Sequence, residues 1–280
     1  MLRVAVPNKG SLSEASIQML REAGYRQRSS SRELVLHDAE NDTEFFYLRP
    51  RDIATYVGSG QLDVGITGRD LLLDSGVDAD EVLTLGFGGS TFRFAARPGP
   101  ADDEHDFAGL RIATSYPGVV SQYLQRLGVA ATVVRLDGAV ETSVQLGVAD
   151  VIADVVETGT TLHRAGLQLV GEPILRSEAV LVRRRGAGES VSVDQLVRRL
   201  NGVIVARGYV IFDYDVRSEI LDAACELTPG IESPTVSPLQ DGGYAVETVV
   251  EKGKINRLIP DLKAAGATDI LELPISKIVP

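Results

Sequence analysis

One short pattern occurs twice in this chain and limits the folds open to it more than any other feature. Val57-Gly-Ser-Gly60-Gln-Leu-Asp63-Val-Gly-Ile-Thr67-Gly68 has the form of a helix end, Gly-x-x-Asp, an apolar strand and a polar loop. Gln145-Leu-Gly147-Val-Ala-Asp150-Val-Ile-Ala-Asp154 repeats that form 87 residues later. Two such units predict two related α/β lobes, each offering a loop at the carboxyl end of a strand, where ligands of open α/β sheets sit. Gly-x-x-Asp is short, so coincidence competes with duplication until other segments are read.

The second copy runs on into a loop with its own chemistry. Val151 to Val156 reads as a buried strand interrupted by one acid, Asp154, and it opens into Thr158-Gly159-Thr160-Thr161 ahead of Leu162. Glycine permits positive φ, so the backbone can turn several N–H groups toward one point. Threonine hydroxyls add donors, and a helix start behind them favours anions. A threonine-capped strand–turn–helix joint is the plain alternative. Asp154 tips the balance toward a ligand, because a buried acid needs a polar partner such as a sugar hydroxyl or a cation.

The remaining segments fit a layered α/β protein. Leu2–Val6 reads as a strand, Pro7-Asn8-Lys9-Gly10 as a loop, and Ser11-Leu-Ser-Glu14 as the capping box of a helix stopped by Gly24. Phe45–Leu48 reads as another strand, and Asp52–Gly58 as a helix after Arg49-Pro50-Arg51. Arg97–Asp106 and Arg183–Ser190 read as polar surface loops. From Tyr209 the order of elements becomes βαββαβ, the ferredoxin-like unit, with a closing strand at Ile270–Ile275.

Charge and composition narrow the partners. A net charge of −11 argues against general nucleic-acid binding, so positive charge for a polyanionic ligand must be gathered locally. No apolar run is long enough to cross a bilayer, and Met1-Leu-Arg-Val-Ala-Val-Pro lacks the features of a signal peptide. A single cysteine, Cys225, excludes an internal disulfide framework and points to the cytoplasm. Cys225 sits in an apolar helical stretch and reads as core, and His37, His105 and His163 share no ligand spacing.

Glu141, Gly147, Ala149, Ile152, Asp154 and Thr158-Gly159-x-Thr161-Leu162 together resemble the signature of the ATP phosphoribosyltransferase family. Pro7-Asn-Lys9-Gly10, Leu48-Arg49-Pro-Arg-Asp-Ile53, Asp63-Val-Gly-Ile-Thr-Gly68 and Arg111-Ile-Ala-Thr-Ser-Tyr116-Pro117 resemble the same family, so the likeness spans the chain. It implies a two-lobed, periplasmic-binding-protein-like (type II) catalytic core. Lobe I would take residues 1–91 and 176–208, lobe II residues 92–175, and a βαββαβ regulatory domain residues 209–280. The appended unit is similar to the long form, which carries its own histidine sensor and needs no separate regulatory subunit.

The reaction so implied is attack of N1 of ATP on C1′ of 5-phosphoribosyl pyrophosphate (PRPP), with Mg²⁺ and release of pyrophosphate, feedback-inhibited by histidine. For PRPP the resemblance implies Thr158, Gly159, Thr160 and Thr161 at the 5′-phosphate. Asp154 and Glu141 would serve the ribose and the metal. Glu157 belongs to the same loop and is expected to face solvent or Mg²⁺. Lys9 and Arg49 would act electrostatically on the ATP side, with Gly68, Asp70 and Tyr116 beside them. No dedicated general base is needed, since adenine N1 already carries a lone pair. Asp215, Ser233 and Thr235 are the expected histidine contacts, and dimers assembled into a hexamer the expected oligomer.

Two other readings compete. A prephenate dehydratase joins similar domains, but its Thr-Arg-Phe motif is absent in that order from Ser90-Thr91-Phe92-Arg93-Phe94. A solute-binding or amino-acid-sensing protein would leave Lys9, Arg49 and the phosphate loop unused.

Overall fold

The computed structural model describes residues 1–99, 101, 103–156, 159–240 and 242–278. The chain divides into two compact units, Met1–Arg21 with Tyr25–Asp194, and Glu22–Gly24 with Gln195–Pro280.

The first unit contains two sheets. Its early elements are β1 (Leu2–Pro7), α1 (Ser11–Glu22), β2 (Val35–Asp38), β3 (Thr43–Leu48), α2 (Pro50–Gly58), β4 (Val64–Gly68), α3 (Arg69–Ser75) and β5 (Ala79–Thr84). Then come β6 (Ser90–Ala96), β7 (Arg111–Thr114), α4 (Pro117–Leu127), β8 (Thr132–Arg135), α5 (Thr142–Gln145), β9 (Val151–Val156), α6 (Thr160–Arg164), β10 (Gln168–Ser177) and β11 (Ala179–Arg184). One sheet runs β2-β3-β1-β4-β11-β5, the other β10-β6-β9-β7-β8. Set side by side, β3-β1-β4-β11-β5 and β8-β7-β9-β6-β10 are the same order. In each, three parallel strands are followed by an antiparallel strand that belongs, by chain position, with the opposite lobe. This exchange makes the core two-lobed and periplasmic-binding-protein-like.

The twin sequence pattern has a structural counterpart. Asp63 Oδ2 accepts the backbone N–H of Arg3 at 2.7 Å, and Asp63 donates its own N–H to Arg3 O. Asp150 Oδ2 accepts the N–H of Arg111 at 3.0 Å and likewise donates to Arg111 O. Arg3 and Arg111 lie at the amino-terminal ends of β1 and β7, which occupy the same place in the two sheets. Each guanidinium then takes a carbonyl just upstream of its partner acid, Gln61 O or Gly147 O. Both aspartates therefore align neighbouring strands, and Arg111 holds the Asp150 carboxyl below the usual range.

Lobe I is cored by Ala5, Ile53, Val57, Leu62, Leu72 and Val180. Lobe II is packed on one face by Phe92, Phe94, Phe107 and Val120, and on the other by Ala113, Val144, Ile152 and Leu162. The segment read as a polar loop, Arg97–Asp106, leads into a 3₁₀ turn, Glu104–Phe107, whose last residue, just past that segment, is fully buried. One ring beneath an otherwise charged loop suffices to anchor it.

The second unit carries α7 (Val191–Arg207) across its boundary, then β12 (Tyr209–Val216), α8 (Leu221–Leu227), β13 (Thr235–Pro238), β14 (Tyr244–Glu251), α9 (Ile255–Ala265) and β15 (Thr268–Pro274). The sheet order β13-β14-β12-β15 is that of the ferredoxin-like fold. Phe212, Tyr214, Val246 and Leu262 form its core. The Cys225 thiol packs partly buried against that core, which raises its pKa.

Candidate active site

In a parallel sheet all strands release their loops on the same side, so the carboxyl ends of β1, β3 and β4 bring three loops together in lobe I. Asn8 donates its N–H to Leu48 O at 2.8 Å, tying the Lys9 loop to the strand that ends at Arg49. Lys9 and Arg49 are both exposed. In lobe II the corresponding ends are those of β7, leading to Tyr116, and β9, carrying Asp154. A cavity of about 210 Å³ is lined by Lys9, Gly68 and Asp70 from lobe I and by Tyr116 and Val155 from lobe II.

Asp70 is buried at the wall of that cavity. Its Oδ1 accepts Ser177 Oγ–H at 2.8 Å, while Ser177 Oγ accepts the Asp70 N–H at 3.0 Å. Gly68 makes room for this acid, since a Cβ there would lie 2.2 Å from Asp70 Oδ1. Tyr116 hydrogen-bonds the same carboxylate. Burial, reinforced by the Asp70 charge, pushes the Tyr116 hydroxyl well above its ordinary range, so it stays a neutral donor at physiological pH.

A second cavity of about 280 Å³ lies at the end of β9, lined by Glu141, Asp154, Gly159, Thr161 and neighbouring apolar residues. Asp154 Oδ1 accepts the Val155 N–H at 2.8 Å. Burial nevertheless raises the Asp154 pKa, and the negative charges of Glu141 and Asp70 add to the effect. Its carboxylate thus lines the cavity with no ion-pair partner among the described residues. Gly159 has φ +73°, the left-handed conformation that the turn from β9 into α6 requires. Leu162 anchors α6 in the lobe II core, leaving Thr160 and Thr161 exposed. Glu157 and Thr158 lie outside the described residues.

Sequence reasoning missed Arg51, Asp74 and Ser177. Arg51 Nη1 pairs with Asp74 Oδ2 at 2.9 Å, and its guanidinium lies over the Tyr116 ring, 4.8 Å from the centroid. The available signal was the spacing of Asp70 and Asp74, which places two acids on one face of α3. Gly147 serves the scaffold, following α5 at φ +70° and offering its carbonyl to Arg111.

In the second unit, Asp215 lines a polar cavity of about 500 Å³ with Arg217, Ser218, Glu219 and Thr268. Thr235 stands on β13 and Asp215 on β12, on opposite sides of β14, and Ser233 precedes β13. Among the described residues, no group of three or more His, Cys, Asp or Glu side chains converges as a metal cage. His37, His105 and His163 are all exposed.

Comparison with known proteins places the chain. A family model described as ATP phosphoribosyltransferase matches residues 49–202, and one described as HisG, C-terminal domain, matches residues 206–277. A Pseudarthrobacter chlorophenolicus protein named ATP phosphoribosyltransferase is 61% identical over 275 residues, 97% of each chain. One of the same name from Streptomyces avermitilis is 59% identical over 280 residues, 98% of each. Among solved structures, the ATP phosphoribosyl transferase (HisG:HisZ) complex from Thermotoga maritima matches with a TM-score of 0.64 and 27% identity. That match covers 73% of this chain and 99% of the other.

Proposed function

The chain belongs to the ATP phosphoribosyltransferase family, and we propose that its two-lobed core joins ATP to PRPP in histidine biosynthesis. The N1 lone pair of adenine forms a bond to C1′ as the C1′–O bond breaks, and pyrophosphate leaves with that electron pair. The observation that carries this reading is the opposition of two loop sets. An acidic cavity with a left-handed glycine turn stands at the end of β9, and the exposed cations Lys9 and Arg49 stand at the ends of β1 and β3.

Each part answers a physical need. Positive charge grows on the ribose ring as the leaving group departs, and the Asp154 carboxylate is suited to offset it. The backbone N–H groups and hydroxyls of the segment Thr158-Gly159-Thr160-Thr161 suit the 5′-phosphate. Lys9 and Arg49 offset charge on the pyrophosphate and the nucleotide. Neutral Tyr116, its O–H donated to Asp70, offers its oxygen as an acceptor at the ATP side, where Gly68 keeps the wall low. Catalysis is then largely alignment of two charged substrates, which supplies several kcal/mol of the barrier.

Asp154 and Glu141 share one cavity and suit Mg²⁺, which is usually held by one or two carboxylates together with substrate phosphates. When bound, the ion would neutralise part of the pyrophosphate charge.

Incubation with ATP, PRPP and Mg²⁺ should release pyrophosphate and raise the ultraviolet absorbance of the N1-substituted adenine. Folded protein that forms no such product would overturn the reading. The family matches across both units favour it over a prephenate dehydratase or a sensor protein. Gly159→Val is expected to raise KM for PRPP about tenfold or more. A β-branched residue resists positive φ, and the loop must shift to accept it. Initial-rate kinetics at fixed ATP will check this; an unchanged KM would remove the loop from the PRPP site.

We further propose that the ferredoxin-like unit binds histidine and restrains the core, using Asp215, Ser233 and Thr235, with no separate regulatory subunit. The Thermotoga chain is spanned almost fully by 73% of this one, which leaves room here for the matched C-terminal domain. Assembly as dimers within a hexamer and a cytoplasmic location belong to the same reading; among the described residues no helix is long and apolar enough to cross a membrane. Asp215→Ala is expected to raise the half-inhibitory concentration of histidine about tenfold or more, with kcat retained. Undiminished inhibition would exclude Asp215 from the sensor.

A further inference from the structure

We propose that Asp74 is a positioning residue that latches lobe II onto lobe I through the first turn of α4, thereby setting Arg51 and Tyr116 at the mouth of the cleft. The chain passes between the two sheets after β5 and again between β10 and β11. Paired crossings of this kind form a hinge, about which lobes swing unless something else ties them. The tie is α3. At its start, Asp70 bonds to Ser177, the last residue of β10 beside the second crossing. One turn later, Asp74 reaches the opposite lobe.

There its Oδ1 accepts the backbone N–H of Gly118 at 2.8 Å and of Val119 at 3.3 Å, while Oδ2 takes Arg51 at 2.9 Å. The side chain is only 9% exposed. The first N–H groups of a helix need acceptors from outside it, ordinarily from the N-cap side chain. In α4 the N-cap is Tyr116, whose side chain makes no capping bond. The acceptor is supplied from lobe I instead. Gly118 has no side chain at the point of closest approach, where a Cβ would lie 2.4 Å from the Asp74 carbonyl oxygen. Separating the lobes would break the bonds from Gly118 and Val119 to one carboxylate and lift Arg51 off the Tyr116 ring.

The consequence for catalysis rests on the proposed phosphoribosyl transfer, but the closure itself can be measured without substrate. Spin labels at the exposed positions Thr55→Cys and Gln125→Cys, with Cys225→Ser, report the distance between lobes in the full-length protein. The parent should give one narrow distribution. Asp74→Ala, and independently Gly118→Ala from the other side of the contact, should add a longer component. Each should raise KM for ATP about tenfold while kcat stays within about twofold. Asp74→Glu should return both readings toward the parent. Distances unchanged in both disruptive variants would overturn the latch, as would equal losses in kcat and kcat/KM. A parent that releases no pyrophosphate overturns the reaction instead, and the latch is then judged on distance alone.

Discussion

Asp154→Asn is expected to lower kcat/KM about 10³-fold and to raise the melting temperature by about 2–4 °C, a paired result that few structural substitutions give. The loss follows from removing a carboxylate that faces the proposed ribose site with no ion-pair partner among the described residues. The gain follows from the same isolation. Burial and the charges of Glu141 and Asp70 disfavour ionised Asp154, and the single Val155 N–H does not compensate. Asparagine keeps an oxygen for Val155 and removes the buried charge.

The pH dependence has a definite sign. The pKa is raised in the folded state, so ionisation costs stability as pH rises through the folded value, and the cost vanishes below the unfolded value of about 4. The stability gap between variant and parent should therefore be full at neutral pH and close on acidification. The acid limb of kcat/KM in the parent should lie above the ordinary carboxylate range. Calorimetry and pyrophosphate release across roughly pH 4 to 8 will decide, on a range bracketing that ordinary value. A variant that melts lower than the parent, or keeps near-parental kcat/KM, would contradict the assignment.

Arg49→Ala is expected to reduce kcat about 10²-fold with little change in melting temperature, because the side chain is exposed and its proposed work is to offset charge on the pyrophosphate and the nucleotide. Its backbone stays useful after truncation: Arg49 O accepts the Asp52 N–H at 2.9 Å, and Pro50 at the first helical position already suits α2. Arg49→Lys should recover part of the loss. Arg51→Ala, two residues on, should behave differently, since Arg51 pairs with Asp74 and covers Tyr116. It should change KM and the lobe distance more than kcat. Steady-state kinetics of the two variants in parallel will separate the roles; identical profiles would show that neither assignment holds.

Much of the fold was readable because its signals are local. The repeated Gly-x-x-Asp marks two strands that sit in the same place in their sheets, and the alternation of apolar residues in β12 and β14 marks a half-exposed sheet. Phe107 was hidden because a single apolar residue has no period. Gly147 was legible as a signature position but not as the carbonyl partner of Arg111, since nothing within its own segment names Arg111.

By itself, the order of residues determined the βα units, the glycine turn after β9, the acid within that strand and the terminal βαββαβ module. These depend on contacts within a few residues, where φ preference and hydrophobic period decide the backbone. Tertiary structure alone decided which strand changes lobe, that Ser177 meets Asp70 across 107 residues, and that Asp74 caps Gly118 in the other lobe across 44. A carboxylate binds whichever donor the packed chain brings within about 3 Å, and no local pattern records where the chain returns.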